Sequence, residues 1–95
     1  MLALTGDLDL STLPRFGDCL ARLTSAAGTS AAVVDLDGVG YLDDAALGLL
    51  LGAAGRSRGV GGDLVVVASD DRLRRRLTAT GFDRAVRVVA AIADA

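Results

Sequence analysis

Histidine, lysine and glutamate are missing from this 95-residue chain: all ten cations are arginine and all twelve anions are aspartate. Without histidine there is no imidazole general base, no Ser-His or Cys-His pair and no histidine-bearing zinc site. The one cysteine, Cys19, allows neither an internal disulfide nor a multi-cysteine metal cage, and a reducing, cytoplasmic setting is expected. It falls between Phe16 and Leu20 in a helical run and reads as an inert small hydrophobe. Phe16, Tyr41 and Phe82 are the only aromatics, too few and too scattered for a base-stacking platform. A net charge of −2 and a pI near 4.8 oppose electrostatic capture of nucleic acid or of an anionic membrane. The uncharged run from Ala45 to Gly55 is far short of the ~20 residues that span a bilayer. Met1 to Gly6 has no basic region and meets Asp7 and Asp9 at once, unlike a signal peptide.

What is present suits one globular domain over residues 1–95: 52% of residues are hydrophobic and 23% charged. Apolar stretches at Leu2–Thr5, Ala32–Asp37 and Asp63–Ala68 read as strands, the third apolar enough to be covered on both faces. Ala85–Val89 reads as a fourth strand, at an edge. Gly38 and Gly40 read as turn residues after the second strand, and Gly59–Gly62 as a tight helix-to-strand turn. Between the strands lie helical patterns. The first is capped by Ser11 or Thr12, carries Pro14 in its first turn and ends at Gly28. Asp43 caps a second helix through Leu47, Leu50 and Leu51, finishing near Arg56 to Gly59. Ser69 or Asp70 caps a third, with Leu73 and Leu77 on one face and Gly81 as its stop. The tail from Ala90 forms a last turn. Strands alternating with crossover helices predict an α/β fold with mainly parallel pairing.

Twelve glycines invite a phosphate-loop reading, but neither a Walker pattern nor a Gly-x-Gly-x-x-Gly before a helix is present. Gly48 and Gly52 read as a small-residue pair allowing close packing of the second helix on the sheet. Arg72, Arg74, Arg75 and Arg76 read as a solvated helix face, or as a surface for an acidic partner. The carboxylates are the sharper signal. Asp7 and Asp9 follow the first strand, and Asp43 and Asp44 follow the second, at the carboxyl ends where parallel sheets place their sites. Helix capping accounts for Asp43. Their spacing matches no calcium loop, and neither a metal nor a cofactor is implied.

The segment Leu4-Thr5-Gly6-Asp7-Leu8-Asp9, ending in Pro14-Arg15, resembles the opening of STAS domains of the bacterial anti-sigma-factor antagonist type. Val33 to Asp43 resembles their following strand and loop, Leu47 to Gly52 their second helix, and Gly62–Val67 and Leu77–Asp83 their later segments. The resemblance implies a small, mostly parallel sheet of about four strands with helices mainly on one face. It implies a non-enzymatic module that binds an anti-sigma factor, itself a serine kinase of the GHKL ATPase type. Kinase phosphorylation of a serine in an Asp-Ser-Ser-Gly motif at the start of the second helix ends that binding.

Here the chain departs from the family, reading Asp43-Asp44-Ala45-Ala46-Leu47-Gly48. Ala45 stands at the phosphoacceptor position and Asp44 at the serine before it. Two opposite consequences follow: an antagonist that is always competent, or one in which Asp44 imitates phosphate. The expected partner surface comprises Asp9, Asp43, Asp44, Ala45, Ala46 and Leu47. Met1 also stands only three residues ahead of Leu4, so two expectations are open: the start falls inside a longer chain, or the family's additional N-terminal strand is missing and the sheet has an open edge. The edge thereby opened could pair two copies of the chain. An alternative within the same family is an accessory subunit regulating a lipid or anion transporter. The arginine- and aspartate-only composition fits a high-GC bacterial genome.

Overall fold

The computed structural model describes the backbone of residues 2–8 and the whole of residues 11–95. Four strands, β1 (Leu2–Leu8), β2 (Ala31–Leu42), β3 (Asp63–Val67) and β4 (Arg87–Val89), form one sheet. Their order across the sheet is the order of the chain, and all three pairings are parallel. The helices are α1 (Leu13–Ala27), α2 (Asp44–Gly59), α3 (Asp71–Ala79) and the single turn α4 (Phe82–Ala85). A 3-10 turn over Ile92–Asp94 follows β4.

Each crossover moves one place in the same direction, and right-handed crossovers of that kind deliver every helix to one face of the sheet. The core confirms the arrangement. Ala32, Val34 and Leu36 of β2, with Leu64 and Val66 of β3, alternate onto that face. There they pack against Phe16 and Leu20 of α1, Leu47, Leu50, Ala53 and Ala54 of α2, Leu77 of α3, and Phe82. Val65 and Val67 point to the opposite face and are also buried, as the unbroken apolar run of β3 predicts. Near that face Arg87 Nη2 donates to the Asp94 carbonyl at 2.8 Å, tying the closing turn to β4.

Several boundaries differ from the sequence reading. β2 does not end before Gly38 but runs to Leu42, because β1 continues through Gly6 to Leu8 and pairs with it there, across two register irregularities. Glycine is a weak strand former, and only the neighbouring strand keeps this stretch extended. β4 begins at Arg87 rather than Ala85, since Gly81 (φ 77°) opens the turn α4 and buries Phe82. Thr12 does precede α1, but its side chain makes no capping bond. Gly48 and Gly52 do not face the sheet. Both lie on the exposed side of α2, which packs through Ala46, Leu47, Leu50, Ala53, Ala54 and Ser57 instead.

Candidate functional site

The end of β2 leads into α2, and Arg76 in the last turn of α3 reaches that junction. Asp43 leaves the strand in extended conformation (φ −71°, ψ 153°) and its Oδ1 accepts the Ala45 N–H at 2.9 Å. Its carbonyl accepts the Ala46 and Leu47 amides at 3.0 and 3.2 Å. One residue therefore both ends β2 and caps α2. The cap is worth about 1 kcal/mol, and the N-terminal end of the helix dipole favours its charge.

Asp70 performs the same task for α3, accepting the Arg72 and Leu73 amides at 2.7 and 3.2 Å. Asp37 Oδ1 accepts the Ser69 N–H at 2.6 Å, and the Asp37 amide donates to Asp35 Oδ1 at 2.9 Å. A carboxylate in β2 thus fixes the loop that enters α3.

Among the described residues, Arg74, Arg75 and Arg76 of α3 make side-chain hydrogen bonds. Arg74 Nη1 donates to the Ala68 carbonyl at 3.1 Å, and Arg75 Nε to the Asp71 carbonyl at 3.3 Å. Arg76 reaches across to the start of α2. Its Nε donates to the Leu42 carbonyl at 2.8 Å and its Nη2 to Asp44 Oδ1 at 2.7 Å. The run is therefore more than a solvated face, because its last member, Arg76, ties α3 to the end of β2. Between the Val39–Leu42 end of β2 and Asp70, Arg72, Leu73 and Arg76 of α3 lies an open cleft of about 320 Å³.

The expected partner residues separate into three groups. Asp43, Asp44 and Ala45 are consecutive at the start of α2, with Asp44 and Ala45 exposed. Ala46 and Leu47 do not join that surface: helical spacing turns both into the core, where they are 0% and 5% exposed. Asp9 lies outside the described residues. Beside the exposed pair stand Gly48 and Tyr41, the latter 53% exposed. Among the described residues no three potential metal-ligating side chains of His, Cys, Asp or Glu come together. Nor, among them, is any helix long and apolar enough to cross a membrane.

Sequence reasoning did not find the bond between Arg76 and Asp44, which joins residues 32 apart in the chain. The only signal available was the arginine run itself, and nothing local distinguishes its fourth member from the others.

The family profile of the STAS domain matches residues 1–95, and the chain belongs to that family. No protein among those with curated functions matches the sequence significantly. Solved structures do match in fold. An anti-sigma factor antagonist from Mycobacterium paratuberculosis superposes with a TM-score of 0.85 at 24% identity, over 97% of this chain and 77% of that one. TM1081 of Thermotoga maritima gives 0.82 at 19% identity, over 97% and 80% of the two chains. The anti-sigma factor antagonist SpoIIAA in its unphosphorylated form gives 0.71 at 15% identity, over 97% and 79%.

Proposed function

We propose that this STAS domain is a non-enzymatic antagonist module that binds an anti-sigma factor of the GHKL serine-kinase type. Its contact surface is the exposed start of α2 at Asp43, Asp44 and Ala45, extended by Gly48 and Tyr41. The observation carrying this reading is the exposure of Ala45 in the first turn of a capped helix, at the position where the family resemblance puts the phosphoacceptor serine. A methyl group there accepts no phosphate, so the module lacks the family's off-switch and stays competent while its partner is present. The fold shared with the anti-sigma factor antagonist from Mycobacterium paratuberculosis and with SpoIIAA supports the reading.

The test is binding of the purified chain to the serine-kinase anti-sigma factors encoded in the same genome, with and without ATP. Wild type is expected to bind one of them and to take up no phosphate. Ala45→Ser is expected to become phosphorylated and to be released. Failure of wild type to bind any of these kinases overturns the proposal.

A further inference from the structure

The charge at Asp44 decides which state of an antagonist surface the chain presents. A phosphoserine at the start of α2 brings about −1.5 to −2 charges into the contact, whereas an aspartate one residue earlier brings a single negative charge. In this fold that charge is already matched. Arg76 Nη2 lies 2.7 Å from Asp44 Oδ1, and the same guanidinium is anchored by its Nε to the Leu42 carbonyl at 2.8 Å. The Arg76 side chain is only 34% exposed against 85% for Asp44. The cation is thus positioned by strand and helix, and only the short aspartate must be ordered to complete the pair.

So exposed a pair adds little to stability. Cancellation of charge does not require much stability, only that the pair be populated. A partner approaching from solvent then meets a dipole, whose field falls off faster with distance than that of a lone anion. The neighbouring carboxylate is also accounted for, because Asp43 is turned onto the Ala45 amide at the positive end of α2.

We propose that Arg76 neutralises Asp44 and thereby keeps the start of α2 in the charge state of an unmodified site, so that Asp44 does not act as a built-in phosphate. Arg76 is a positioning residue, acting through Asp44 rather than by touching the partner. The inference rests on the antagonist reading above and selects the always-competent outcome over the permanently repelled one.

Two measurements test it. In 15N-labelled full-length chain, the paired guanidinium is expected to show resolved Arg76 Nη–H signals at low temperature, which average in Asp44→Ala. Averaged signals in the wild type overturn the pairing. In binding to the serine-kinase anti-sigma factors of the same genome, Arg76→Ala is expected to lose roughly fivefold in affinity by freeing the Asp44 charge. Adding Asp44→Ser to that variant is expected to recover affinity relative to Arg76→Ala alone. Unchanged affinity in Arg76→Ala overturns the inference, and so does a loss that Asp44→Ser leaves unrepaired. If Arg76 is paired but neither wild type nor Asp44→Ser binds any of these kinases, the neutralised pair stands and the antagonist reading falls.

Discussion

Asp37 holds Ser69: a carboxylate oxygen in β2 accepts the backbone N–H of a residue 32 positions later at 2.6 Å. The bond fixes the loop between β3 and α3, and with it the N-terminal end of α3. Asp37→Ala is expected to lower stability by about 1 kcal/mol. It should also speed hydrogen exchange at Ser69 and in the first turn of α3. Asp37→Asn retains a carbonyl acceptor and should lose less. Urea unfolding and amide exchange measure both effects.

Ser57 lies on the buried side of α2 at 2% exposure, and its Oγ has no hydrogen-bond partner among the described residues. A buried hydroxyl without a partner has surrendered its hydration for nothing in return. Ser57→Ala removes that penalty and improves helix propensity, so stability should rise by about 0.5–1.5 kcal/mol. A lower urea midpoint in this variant would show that the hydroxyl is satisfied after all.

Two glycine substitutions should act in opposite directions. A Cβ at Gly62 would collide with the Gly28 carbonyl oxygen and sit 3.1 and 3.3 Å from the Ser30 and Ser57 carbonyl oxygens. These are backbone atoms that cannot swing aside, and Gly62→Ala should cost about 1–3 kcal/mol. A Cβ at Gly48 meets nothing within 4 Å. Gly48→Ala on the exposed side of α2 should stabilise the chain by about 0.5–1 kcal/mol. Thermal melting of the two variants distinguishes them by sign.

Leu50 is completely buried where α2 packs against the sheet. Leu50→Ala leaves a cavity against rigid strands and should cost about 2–5 kcal/mol. Leu51, one position on, is exposed, and Leu51→Ala should change stability by less than about 0.5 kcal/mol. Chemical denaturation of the pair measures how steeply the environment changes across one residue of α2.

The sequence made the elements with strong patterns legible. Leu64 to Val67 is an uninterrupted apolar run and is buried on both faces of the sheet. Asp43 and Asp70 each stand before a helical run, and both prove to be caps. Weak local signals misled where a distant neighbour decides. Gly38 and Gly40 read as a turn yet lie within β2, because pairing with β1 continues through that stretch. Gly48 and Gly52 read as packing residues, but Ala46, Leu47 and Leu50 occupy the side of α2 that meets the core. Helical phase also removed Ala46 and Leu47 from the expected partner surface. The Arg76–Asp44 bond is illegible for another reason: it joins the last turn of α3 to the first turn of α2, a product of tertiary packing and not of any motif.

Because sheet order copies chain order, the chain emerging from a ribosome can build its sheet outward without waiting for a later segment to intercalate. When β2 is complete its partner β1 has already been made, and β3 and then β4 each dock on the last edge laid down. Each pairing closes across one helical crossover and joins strands that are neighbours in the chain. The growing edge stays exposed until the next strand arrives, and the three-residue β4 closes the series with a short edge that offers little purchase to another chain.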